Sequence, residues 1–128
     1  MKEIKALYVL PDRRPVLISI EDKLDNYQAL VDGYIEAISL DEHTDIICNE
    51  SAKLNGMLAN RMLKYGDFGI MDDRHNLDFD LIYGNFLIVS SDNEQGTWES
   101  LTQEQIDKYQ ARFNGIEIYL ANEMGVTR

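Results

Sequence analysis

The sequence predicts a single α+β domain, an antiparallel or mixed sheet of about four to six strands with two or three helices packed on it. Three observations lead there. Short apolar segments of period two fill the first half of the chain, a four-residue apolar block runs unbroken from Phe86 to Val89, and Thr102 with Gln105 spells a reciprocal helix cap. A chain of 128 residues is the length of one domain and long enough to bury one core, so residues 1–128 are read as a single unit.

Ile4 to Leu10 reads as a strand, and Pro11 to Pro15, with two prolines around three charges, as the turn that sends the chain back. Val16, Ile18 and Ile20 then share one face of a second strand. Leu24, Tyr27, Leu30 and Val31 recur at helical spacing, with Gly33 placed for a left-handed stop. Tyr34 to Leu40 and Thr44 to Asn49 are two strands across the short polar turn Asp41, Glu42, His43, and should pair antiparallel. Between Met62 and Tyr83 the periodicity fails, and the segment reads as an irregular acidic insert. Asn85 to Ser90 has the pattern of a strand covered on both faces, hence a central one. Gln103 to Phe113 is a helix, capped by Thr102 and Gln105 and stapled by Leu101 and Ile106, and Ile116 to Met124 leans to a helical return. The expected core is Leu7, Val9, Ile18, Leu30, Ile35, Ile47, Phe86, Ile88, Ile106, Tyr109 and Phe113.

Charge narrows the function. Asp and Glu number 23 against 12 Lys and Arg, a net charge of −11, and the excess is spread along the chain. Such a surface repels nucleic acid and anionic membrane, so direct binding to either is not expected. No apolar stretch approaches the roughly 20 residues a bilayer span needs, and the start around Lys2, Glu3 and Lys5 reads as a strand instead of an export signal. The single cysteine, Cys48, sits in an apolar run and reads as a buried thiol. A cytoplasmic location is the expectation.

Four blocks, GYIE at Gly33 to Glu36, IICNESAKLNGMLANR at Ile46 to Arg61, GNFLIV at Gly84 to Val89 and LTQEQIDKY at Leu101 to Tyr109, give the chain a resemblance over about Ile4 to Phe113. It resembles a family of small domains of unknown function, the 3846 family. The resemblance implies an origin in Gram-positive bacteria, their phages, plasmids and conjugative elements, and no established activity.

Within the second block, Lys53, Asn55, Asn60 and Arg61 are the binding candidates. Asn55 with Gly56 also suits a turn, and Asn49 a strand end. Arg61 offers a rigid fork of donors for a carboxylate or phosphate, with an internal salt bridge as its commonest fate. Asp72, Asp73 and Asp78 join the set as an acidic loop. The run Asp72 to Asp78 lacks calcium-loop spacing, His43 and His75 lie in polar turns, and one cysteine completes no zinc site, so no metal and no cofactor is expected.

Three functions remain open. The first is a small acidic binding protein without enzymatic activity, acting on a protein partner as a mobile-element accessory or anti-defence factor; that partner is a basic or DNA-processing one. The second is a DNA mimic whose carboxylates imitate phosphates and block a nucleic-acid-processing enzyme. The third is a small-ligand site or hydrolase built on Arg61 and the Asp72 to Asp80 loop.

Overall fold

The computed structural model describes residues 2–64 and 79–123. The chain reverses at the proline-bearing segment 11–15, so β1 (Glu3–Val9) and β2 (Val16–Glu21) form an antiparallel hairpin with Ala6 opposite Ile18. α1 (Leu24–Val31) follows and buries Tyr27 and Val31, while Leu24, expected on the inner stripe, is 55% exposed. The left-handed residue at its end is Asp32, with φ of 61°, and not Gly33. Gly33 follows at φ of 155°, which side-chain-bearing residues rarely adopt, and a Cβ there would stand 2.6 Å from Nδ2 of Asn49.

β3 (Ile35–Asp41) and β4 (Thr44–Asn49) make the expected antiparallel hairpin, with an irregularity in register between Ser39 and Asp41. The segment from Met62 to Tyr83 departs from the irregular insert expected of it. Its two ends belong to strands, β5 (Ala59–Lys64) and β6 (Phe79–Tyr83), which pair with each other as a separate two-stranded sheet. Asp72, Asp73 and Asp78 lie outside the described residues.

β7 (Phe86–Asp92) is the central strand. It pairs antiparallel with β1 on one side, through Leu7, Tyr8 and Val9, and with β4 on the other, giving the order β2-β1-β7-β4-β3. A short strand that periodicity does not reveal, β8 (Thr97–Glu99), pairs with the far end of β7. α2 (Gln103–Arg112) begins at the capping box, with Gln105 N–H donating to Thr102 Oγ1 at 3.2 Å and Gln105 Oε1 accepting from Thr102 N–H at 2.8 Å. α3 (Glu117–Glu123) is the helical return.

The unbroken apolar block of β7 is explained by its position. Phe86 and Ile88 face one side and Leu87 and Val89 the other, all fully buried. On the first side they join Leu7, Val9, Ile46 and Cys48 beneath Ile106, Tyr109 and Phe113, and Leu63 and Ile82 close the cluster. Phe86 meets Phe113 edge to face at 5.9 Å. On the second side Ile4, Ala6, Ile20, Ile47 and Tyr27 form the core. Ile18, Leu30 and Ile35, expected in the core, are only half-buried there, because this face is covered by one eight-residue helix and by Trp98 packed edge-on against Tyr27.

Candidate functional site

Asn60 and Arg61 follow Ala59 at the start of β5, and both are buried. Asn60 Nδ2 donates to the carbonyls of Val9 (3.0 Å) and Gly84 (2.8 Å), while its Oδ1 accepts from Arg61 Nη1 at 2.6 Å. Arg61 Nε donates to Phe113 O at 2.9 Å and Nη2 to Arg13 O at 2.7 Å, and Nη1 lies 3.5 and 3.4 Å from the carbonyls of Leu10 and Pro11. The expected internal salt bridge is therefore replaced by main-chain acceptors: the guanidinium ties the β1–β2 turn to the end of α2. Burial pulls its pKa below the ordinary guanidinium value, against the opposing charge of Glu117.

Asn49 is structural in the same way. Its Nδ2 donates to the carbonyls of Val31 and Asp32, closing the end of α1, and its Oδ1 accepts from Ser51 N–H. Lys53 and Asn55 stay on an exposed turn, with Gly56 at φ of 74° as the turn pair requires and Lys53 Nζ 5.8 Å above the Tyr83 ring. The four residues thus do not converge on a ligand site. Cys48 is buried, and burial together with Glu36, to whose carboxylate its thiol donates, pushes its pKa up to about 12.

Arg61 lines neither of two smaller cavities of about 380 Å³ nor the larger cleft of about 840 Å³ formed elsewhere. That cleft is built from three segments distant in sequence: the β3–β4 turn, the β7–β8 hairpin and the first turns of α2. Gln105 joins them, since its side chain both closes the capping box and donates from Nε2 to His43 O (3.0 Å), Thr44 Oγ1 (2.8 Å) and Ser90 Oγ (3.3 Å). Asn93 Nδ2 donates to Glu42 O at 2.7 Å, locking one hairpin tip to the other.

The lining carries Asp41, Glu42, Asp92, Glu94, Glu99 and Glu104 around a single lysine, Lys108. Some of these carboxylates are engaged in structure. Burial would raise the Asp41 pKa, but the Tyr109 hydroxyl, the His43 N–H, Thr44 and Lys108 outweigh it and hold the carboxyl below its usual value. The Thr97 hydroxyl and Lys2 do the same for Glu99. Asp92 accepts from the backbone N–H groups of Glu94 and Gln95. Glu42, Glu94 and Glu104, one from each segment, have no side-chain hydrogen bond or ion pair among the described residues. No local motif announces this cleft; the capping glutamine and the short acidic turn are the only sequence signals of its parts.

No helix among the described residues is long and apolar enough to cross a membrane, and those residues hold no cluster of three or more His, Cys, Asp or Glu side chains placed to ligate a metal. Comparison with curated proteins and with solved structures gives no match. A family model described as a domain of unknown function matches residues 4–114, a span that takes in the core sheet, the Asn60–Arg61 bracket and α2. The chain belongs to that family, DUF3846.

Proposed function

We propose that this protein works by binding, without catalysis, and that its acidic cleft receives a cationic segment of a protein partner. The observation that carries the reading is the convergence of Glu42, Glu94 and Glu104, unpaired among the described residues, on one cleft whose walls are pinned by Gln105. Carboxylates of one sign carried on the pinned walls of a concave surface concentrate a field that a flexible acidic tail would disperse. The overall charge of −11 adds long-range attraction for basic partners and speeds their encounter. The rest of the chemistry-bearing side chains support a non-enzymatic role, since Arg61 is consumed by main-chain carbonyls and Cys48 is held as a thiol. The wider setting, an accessory or anti-defence factor of a mobile element acting on a basic or DNA-processing protein, is part of the same proposal.

The test uses a fluorescent oligolysine peptide and two variants of equal charge change. The triple substitution Glu42→Gln, Glu94→Gln, Glu104→Gln should weaken binding by about tenfold at low salt, from about 0.5 kcal/mol lost per exposed carboxylate. The substitution Asp25→Asn, Asp32→Asn, Glu50→Gln, at exposed carboxylates outside the cleft lining, alters net charge identically and should cost much less. Equal losses in the two variants would mean that the peptide senses net charge alone, and would refute the cleft.

A further inference from the structure

β2 is an edge of the six-stranded sheet, and the direction of its backbone groups follows from β1. Lys5 O accepts from Leu101 N–H at 3.0 Å and Lys5 N–H donates to Ser100 Oγ at 2.9 Å, so the odd-numbered residues of β1 turn their amides away from β2. Ile4, Ala6 and Tyr8 are then the residues that bond across, opposite Ile20, Ile18 and Val16. Asp22 N–H donating to Lys2 O at 2.8 Å keeps the same alternation. Leu17, Ser19 and Glu21 therefore direct their main-chain groups outward, where no strand of the described residues pairs with them, while Pro15, one place before the strand, is buried.

That outer row has an uneven pattern. Pro15, just before the strand, has no N–H to offer. Glu21 offers an N–H, while its carbonyl already accepts from Lys23 N–H at 2.8 Å and from Asn26 Nδ2 at 3.0 Å. Between them, Leu17 and Ser19 offer both groups. Natural edge strands are blunted by a charge or a bulge, yet residues 16–20 read VLISI, with Val16 and Leu17 46% and 45% exposed.

We propose that two copies of this chain pair antiparallel along β2, with Ile18 facing Ile18 across a two-fold axis, to continue the sheet through both. This register fits each irregularity. Leu17 and Ser19 exchange two hydrogen bonds with their counterparts, twice by symmetry. The Glu21 carbonyl, satisfied within its own chain, faces the position where Pro15 has no donor. Val16 falls opposite Ile20, and Arg14, exposed two places before the strand and without an ion pair among the described residues, falls opposite Asp22, whose carboxylate accepts from the Tyr27 hydroxyl and lies 3.7 Å from Lys2 Nζ. Residues 2–23 carry five cations against four carboxylates, so along this stretch of a strongly acidic chain the repulsion between two copies is small. A single strand pair buries less than the roughly 1,600 Å² of a standard interface, and the dimer should be of about micromolar affinity. The inference is independent of the cleft.

Sedimentation velocity on the full chain, up to about 100 μM, should show a mass rising with concentration towards twice 14.8 kDa. Amide exchange should show protection of the Leu17 and Ser19 N–H groups rising over the same range. Ser19→Pro removes an outward N–H that no intramolecular ladder bond uses, and Arg14→Glu changes one exposed charge. Each should weaken association at least tenfold with the circular dichroism spectrum unchanged; if Ser19→Pro misfolds, Arg14→Glu decides. A monomer at the highest concentration would overturn the proposal, as would a dimer that Arg14→Glu leaves intact or in which the Leu17 and Ser19 amides stay unprotected. Protection of those amides by an added basic peptide, without a rise in mass, would assign the edge to a foreign strand and refute it equally.

Discussion

Arg61→Met tests whether the buried guanidinium is a structural clamp or a binding group. Three of its hydrogen bonds are short: 2.9 Å to Phe113 O, 2.7 Å to Arg13 O and 2.6 Å to Asn60 Oδ1. Bonds to a charged donor contribute about 1.5–3 kcal/mol each, and acceptors left buried without a donor lose that and their hydration. Methionine fills most of the volume and removes the cost of burying a charge, which offsets part of the loss. The carbonyls of Leu10, Pro11 and Arg13 stand in a surface turn where water reaches them; Phe113 O and Asn60 Oδ1 are held deeper. The balance is a destabilisation of about 3 kcal/mol, equivalent to a fall in Tm of about 10 °C for a domain of this size. Urea unfolding followed by circular dichroism measures it, and an unchanged m-value would confirm that only stability has moved. A change below about 1 kcal/mol would mean that the guanidinium is not needed by the fold, and the ligand-binding reading of Arg61 would return.

Thr102→Ala should lower stability by about 1 kcal/mol through loss of the side-chain acceptor for Gln105 N–H; a urea-unfolding change near zero would deny the cap its role. Burial and the neighbouring Asp41 raise the Tyr109 pKa well above that of a free phenol, so the folded state favours the neutral hydroxyl. The stability this supplies is fully present below the unfolded value near about pH 10 and is lost as pH rises towards the folded one. Thermal melts between pH 7 and 11 should therefore fall at the alkaline end, and less steeply in Tyr109→Phe; parallel profiles for the two proteins would refute the assignment.

The elements whose signals are local were legible. The proline turn, the four strands of the two hairpins, the doubly covered β7 and the capping box of α2 all follow from spacing within a few residues. β5 was not, because its buried stretch runs through Asn60 and Arg61, whose polarity is satisfied by carbonyls from Val9, Gly84 and Phe113 that only the folded chain brings near. A pattern reading expects apolar residues inward and meets an asparagine and an arginine. β8 has three residues, too few to show a period. The Arg61 fork is visible in sequence as a group needing an acceptor, but sequence displays carboxylates and hides the main-chain carbonyls and the Asn60 amide oxygen that accept from it. The acidic cleft was illegible for a similar reason, since Glu42, Glu94 and Glu104 meet only after the central strand brings the three segments to one end of the sheet.

The place of β7 between β1 and β4 has a consequence for how the chain reaches this state. The two hairpins that flank it are complete by Asn49, yet the strand that joins them ends at Asp92. At a synthesis rate of about 5–20 residues per second, the inner edges of β1 and β4 wait a few seconds for their shared partner. Until β7 arrives neither hairpin has the third strand that independent stability requires, and the sheet closes by placing a strand between them instead of adding one at the rim. Such non-local pairing places folding among the slow topologies, on the scale of milliseconds to seconds. The nascent chain is thus exposed to misassembly in the stretch between Asn49 and Phe86, before β7 has emerged.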